Sequence, residues 1–219
     1  MNNVTLSICI ATFNRAAFIG ATLDSIISQA TEEVEIVIVD GASSDDTEQV
    51  VGTYMQRFPR LRYFRQEVNM GVDRDFNRAV ELAHGEYCWL MSDDDLLKPG
   101  AIRSVLKEAN KGYGLIIVNA EVRNADLSQL IEDRRLHISS DRIYTPDDGE
   151  RLFVETASYL SFIGCVVIKR NLWNAREKEK YFGTVFIHVG VIFQAPLSED
   201  TLVIAQPMII IRYGNALWT

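Results

Sequence analysis

Inside its first 110 residues this chain alternates four times between a short apolar strand and a helical segment, and that alternation leaves few folds open. Residues 5–11 (TLSICIA), 35–39 (EIVIV), 61–65 and 87–91 read as strands. The second is a continuous β-branched run, as expected of a strand covered on both faces. Residues 18–29 place Ile19, Leu23, Ile26 and Ile27 on one helical face, and residues 73–83 do the same with Phe76, Val80, Leu82 and Ala83. Residues 47–57 form a helix behind several N-cap candidates, Pro99 fits the first turn of a helix reaching residue 109, and residues 115–120 give a further strand. Four βα units predict an α/β fold, a mostly parallel central sheet with helices on both faces.

Beyond residue 120 the pattern weakens. Residues 121–145 show no clear period, 146–157 look helical, 164–168 look like a strand, and 171–180 read as a charged helix or loop. Residues 202–212 form a last strand, broken near Pro207. With 219 residues, 47% of them hydrophobic, and no repeat or linker-like stretch, a single domain over residues 1–219 is expected. The chain reaches Trp218 just after this last strand, an apolar ending from which further helices are expected to continue in the full protein.

Three polar clusters sit at strand ends: Thr12-Phe13-Asn14-Arg15, Asp40-Gly41-Ala42-Ser43-Ser44-Asp45-Asp46 and Ser92-Asp93-Asp94-Asp95. In open parallel sheets ligands bind beyond the carboxyl ends of the strands, where strand order reverses, so the three clusters converge on one site. Acidic triplets also serve as solvated loops or helix caps, and Asp95 can simply start the next helix. Three acids after an all-apolar strand, aligned with two other polar strand ends, favour a site for a divalent cation, because Mg²⁺ or Mn²⁺ takes oxygen ligands.

A net charge of −8 excludes a nucleic-acid backbone as the natural partner, since that needs clustered Lys and Arg. A small phosphorylated ligand stays open through a bridging cation. The three cysteines, Cys9, Cys88 and Cys165, lie in apolar runs and read as buried reduced thiols, which implies a reducing compartment. No apolar run approaches the roughly 18 residues of a membrane span, and the expected location is cytoplasmic.

The three clusters, together with Asn69-Met70-Gly71 through Asn77-Arg78-Ala79 to Gly85-Glu86-Tyr87, resemble the successive motifs of glycosyltransferase family 2. Ser92-Asp93-Asp94-Asp95 followed by Pro99 resembles that family's DxD region, with serine where many members have the first aspartate. The motifs run in the family's order over residues 5–110. The resemblance implies a GT-A fold with a Rossmann-like sheet, its nucleotide-sugar half in residues 1–120 and its acceptor half in residues 121–219. It also implies transfer of a sugar from a nucleotide diphosphate-sugar, by inversion, with a divalent metal (Mn²⁺ or Mg²⁺) neutralising the departing diphosphate.

On the same grounds Thr12, Asn14 and Arg15 would lie along the nucleotide, Asp40 at the base or ribose, and Asp93 at the ribose or donor sugar. Asp94, five residues before Pro99, matches the metal-binding aspartate, with Asp95 the second candidate. Arg74 and Asn77 fall on the helix leading into the cluster, where an Arg would reach the diphosphate or simply face solvent. Residues 158–165 are expected to help build the acceptor site. With its histidine, the chain is similar to bacterial O-antigen sugar transferases of the abequosyltransferase-like sort. The acceptor would be a glycan or a lipid-linked glycan, the latter bringing the protein against the inner membrane face.

One departure from the family stands out. Many members carry an acidic pair downstream that deprotonates the acceptor, whereas residues 181–190 (YFGTVFIHVG) hold no carboxylate. His188 is the titratable group there, as a general base or metal ligand, against the plainer reading of a packed core histidine. Glu199 and Asp200 are further candidates. Other classes remain in view: a catalytically silent sugar-nucleotide-binding module, and a nucleotidyltransferase, against which the glycine-free loop before Gly20 counts. No G-x-G-x-x-G follows a strand, so a dinucleotide-dependent dehydrogenase is excluded.

Overall fold

The computed structural model describes residues 4–215; the ending at Trp218 lies outside them. Strands β1 (Leu6–Thr12), β2 (Val34–Asp40), β3 (Leu61–Arg65) and β4 (Tyr87–Met91) alternate with helices α1 (Ile19–Ile27), α2 (Thr47–Arg57) and α3 (Val72–Leu82). Next come the short β5 (Leu96–Leu97), α4 (Ala101–Ala109), β6 (Leu115–Arg123), β7 (Leu130–Glu132) and β8 (Arg142–Tyr144). Then follow α5 (Gly149–Thr156), β9 (Val166–Lys169), α6 (Arg170–Asn174), α7 (Ile187–Phe193) and β10 (Thr201–Arg212).

The strands form one sheet in the order β3-β2-β1-β4-β9-β6-β10-β5, with β7 beside β6 and β8 beside β10. The first four strands pair in parallel, and β6 pairs in parallel with β10. β9 runs against both β4 and β6, so those two point the same way and the sheet is mostly parallel, as expected. Every residue of β1, β2 and β4 is buried, because helices cover both faces. The expected break at Pro207 is a bulge: β10 stays continuous while its register against β6 shifts between Ile204 and Ile209. Proline has no N–H for the ladder, and a bulge is where a strand tolerates that.

Two features position the site. Chain order grows outward from β1 through β2 to β3, then returns to β1's other side at β4, so the reversal lies between β1 and β4. Behind the sheet, Trp89 of β4 is fully buried and its indole Nε1 donates to the Gly164 carbonyl at 2.8 Å, tying the central strand to the turn before β9. The three cysteines are buried free thiols, and no helix among the described residues is long and apolar enough to cross a membrane.

Candidate active site

The first two strand-end loops are laced together. Asn14 (φ 54°) and Ala42 (φ 68°) both take left-handed backbone, which Asn tolerates better than Ala. Asn14 N–H donates to Ser43 Oγ at 2.8 Å, and Asn14 Oδ1 accepts the Ser44 N–H at 2.8 Å. Arg15 N–H donates to Thr47 Oγ1 and Ala16 N–H to Asp45 Oδ2. Asn14 therefore spends its side chain bracing the loops. Gly41 is required by close approach: a Cβ there would stand 2.8 Å from Asp75 Oδ2.

Between these loops and the acid turn lies a cavity of about 200 Å³, lined by Thr12, Phe13, Arg15, Asn69, Gly71, Asp75 and Asp93, among others. Thr12 Oγ1, Asp75 Oδ1 and Asp93 Oδ1 are buried side-chain oxygens without a hydrogen bond, and all three belong to residues lining this cavity. A buried polar atom left without a hydrogen bond costs about 1–3 kcal/mol, so their gathering at one cavity marks where a polar ligand would complete them. Asp40 is fully buried; its Oδ1 accepts the Ser43 N–H at 2.7 Å and its Oδ2 the Tyr63 hydroxyl at 2.5 Å.

The acid turn is buried as well. Arg15 Nε lies 3.5 Å from Asp93 Oδ1. Asp94 Oδ2 accepts Asn215 Nδ2 at 2.9 Å, and Asp95 Oδ1 accepts the Arg212 N–H at 2.8 Å. Burial, then the neighbouring Asp94 charge, pushes Asp93 up to about 7. Burial also raises Asp94, and burial with the Asp94 charge raises Asp95 further. Three carboxyls so crowded are eased either by keeping a proton or by an added cation. Their hard oxygens suit Mg²⁺ or Mn²⁺. Among the described residues no group of three or more His, Cys, Asp or Glu side chains is arranged to hold a metal. A cation here would thus take one or two of these carboxylates, phosphate oxygens and water. Asp93 and Asp94 fit that role, whereas Asp95 anchors β10.

Several expected residues sit elsewhere. Arg74 lies on the exposed side of α3 with its guanidinium 4.2 Å from the Phe182 ring centroid. Asn77 bonds Glu81 and Trp173. Helical phase explains this, because Asp73, Phe76 and Ala79 take the face toward the sheet. His188 is fully buried in α7 and its Nε2 donates to the Leu160 carbonyl at 2.5 Å. Burial pushes it down to about 4. It packs in the core with no surface to offer an acceptor, which corrects the expectation of a base there. Glu199 pairs with Lys169 beside Gly114, at the amino end of β10 and away from the site.

A second cavity of about 170 Å³ abuts the first, sharing Val72 and Val185 with it and lined by Asp73, Ser92, Ser161, Phe162 and Phe186. Asp73 from α3 accepts the Val185 N–H at 2.9 Å (Oδ2) and the Ile187 N–H at 3.2 Å (Oδ1). It thereby brings a carboxylate to the segment that has none of its own. Val185 is held at φ 61°, a strained value for a β-branched residue.

Asp75 carries a measurable consequence. Burial, then the Asp40 charge, raises it to about 6, against a hydrogen bond from Gln66. A raised folded value means folding favours the protonated acid: the contribution is complete below the unfolded value of about 3.9 and is lost as pH rises through about 6. Asp75→Asn is therefore expected to raise unfolding free energy by roughly 1–3 kcal/mol above pH 7 and by little below pH 4. Urea denaturation at both pH values checks this.

A mostly parallel sheet with an acidic turn at its reversal point and two abutting cavities nearby is the layout of a ligand-binding α/β fold. Residues 7–170 match the model described as glycosyl transferase family 2, and the chain belongs to that family. It is 28% identical over 96% of its length to abequosyltransferase RfbV of Salmonella typhimurium, spanning 67% of that protein. It is 31% identical over 81% of its length to a Campylobacter jejuni GalNAc(5)-diNAcBac-PP-undecaprenol beta-1,3-glucosyltransferase, spanning 56% of it. In structure it is similar to S. aureus TarS 1-349 in complex with UDP-GlcNAc, at TM-score 0.74 and 15% identity, over 98% of this chain and 60% of that one.

Proposed function

We propose that the chain carries the donor-binding and transfer machinery of a metal-assisted glycosyltransferase acting in bacterial surface-polysaccharide synthesis. The observation that carries this reading is that buried oxygens of Thr12, Asp75 and Asp93 without a hydrogen bond belong to residues lining one cavity near the sheet's reversal point. A nucleotide diphosphate-sugar lies in that cavity, its diphosphate at Asp93 and Asp94. A divalent cation held by Asp93 and Asp94 would supply Lewis-acid neutralisation of the charge on the departing diphosphate. Arg15, against Asp93, sets the orientation of that carboxylate.

The second cavity takes the acceptor. Because it shares Val72 and Val185 with the first, the two substrates lie side by side, as a single displacement with inversion needs. The acceptor oxygen bonds to the anomeric carbon while the bond from that carbon to the diphosphate breaks. Among the described residues Asp73 is the one acidic or basic side chain lining the second cavity, so the hydroxyl proton passes to it or to water. The undecaprenol in the name of the Campylobacter relative supports a lipid-linked glycan as acceptor, and with it contact with the membrane surface.

Incubation with a panel of nucleotide sugars and Mn²⁺, followed by detection of released nucleoside diphosphate, tests this reading. Turnover of one donor, slow without acceptor, is expected. Binding of a donor with no turnover at all would favour the second reading, a silent sugar-nucleotide-binding module, which the buried His188 and the carboxylate-free residues 181–190 motivate.

A further inference from the structure

The cavity proposed for the donor is lined by Asp75 of α3, which lies against Gly41 at the end of β2. Asp40 closes β2, and its charge acts on Asp75. Both Asp40 oxygens accept hydrogen bonds, from the Ser43 N–H and the Tyr63 hydroxyl. Asp75 Oδ1 accepts none, although it is buried, and Asp75 Oδ2 is pressed against Gly41. The other charged groups nearby are engaged elsewhere. Arg65 donates to the Ser43 carbonyl and lies 3.7 Å from Glu48, while Asp93, with Arg15 against it, follows β4, on the other side of β1 from β2. On α3 itself, Arg74 covers Phe182 and Asp73 holds the Val185 and Ile187 N–H groups. Asp75 keeps one hydrogen bond, from Gln66, while its Oδ1 has no donor, and burial beside the Asp40 charge moves its titration up to about 6.

If the diphosphate lies at Asp93 and Asp94, the nucleoside lies at Asp75. A neutral carboxyl offers an O–H donor and a C=O acceptor side by side, and a nucleobase edge offers the complementary pair. We propose that Asp75 reads the nucleobase of the donor, its protonated carboxyl pairing with an N–H and an adjacent acceptor on the base edge. This rests on the donor-site reading above. The same residue then lowers stability at neutral pH and serves recognition, a common compromise at binding sites.

The test is calorimetric titration of the full chain in Mn²⁺ with UDP, CDP, GDP and dTDP, and with inorganic pyrophosphate as a probe lacking the base. Wild type, Asp75→Asn and Asp75→Ala are compared near pH 5 and near pH 8. Asparagine keeps a donor and an acceptor at every pH. Its affinity for the preferred nucleotide should match wild type near pH 5 and exceed it by about 10-fold near pH 8, where wild type has lost its proton. Asp75→Ala should weaken that nucleotide by about 10–100-fold near pH 5 and leave pyrophosphate unchanged. Nucleotide binding indifferent to both substitutions, or pyrophosphate weakened as much as nucleotide, would overturn the proposal. So would an asparagine variant as impaired as the alanine one, which would assign the contact to the ionised acid. If wild type binds pyrophosphate but no nucleotide better, or binds neither, the donor-site reading itself fails and this proposal with it.

Discussion

Asp94→Ala is expected to remove metal-dependent nucleotide binding, by roughly 100-fold or more, while leaving the protein folded. The carboxylate sits on the turn after β4 between two other buried acids, and one of its oxygens is already oriented by Asn215 Nδ2 at 2.9 Å. Removing it takes away the proposed cation ligand and an orienting contact, yet it also relieves like-charge crowding beside Asp93 and Asp95. The melting temperature should therefore stay level or rise, and circular dichroism alongside the titration checks that. Equal nucleotide affinity in the variant and the wild type, with Mn²⁺ present, would remove Asp94 from the metal site. Asp95→Ala separates the two acids: its loss strands the Arg212 N–H, so it should lower stability more than it lowers nucleotide affinity.

Asp73→Ala is expected to cost about 2–4 kcal/mol of stability. Its two oxygens hold the Val185 and Ile187 N–H groups, one at the strained residue and one at the first residue of α7. Hydrogen bonds to a charged acceptor contribute about 1.5–3 kcal/mol each, and release of strain at Val185 returns part of that. Asp73→Asn keeps one acceptor oxygen and should recover about half of the loss. Urea denaturation of both variants decides it: a change below about 0.5 kcal/mol in Asp73→Ala would mean that the segment is held by its apolar packing instead.

The half of the chain up to residue 110 is legible in sequence because a sheet buried on both faces demands apolar strands, and polar strand ends then have nowhere else to gather. The second half hides for identifiable reasons. Val166, Val167 and Ile168 carry the same β-branched signal whichever way the strand runs, so the antiparallel insertion of β9 between β4 and β6 cannot be read. The seven residues of α7 (IHVGVIF) are almost all apolar and show no period, and the helix start is fixed by Asp73, 114 residues earlier. His188 reads as chemical because no carboxylate lies in its segment, but the helix turns it into the core with Ile187 and Val191.

Asp73 and Asp75 leave a signal that can be found. They share the inward phase of α3 with Phe76, Ala79 and Val80, and an acid on the buried side of a helix needs a partner or a ligand. Arg74 and Asn77, one or two positions away, fall out of phase. Residue type pointed to the helix, and the 3.6-residue period points to the right side of it.

Calorimetric titration of the wild-type chain with UDP, GDP, CDP and dTDP, each with and without Mn²⁺, tests the central claim most directly. The account predicts that one nucleoside diphosphate binds well above the others and that its binding falls sharply when the metal is withheld. Failure of every nucleotide to bind the folded protein with Mn²⁺ present would contradict it.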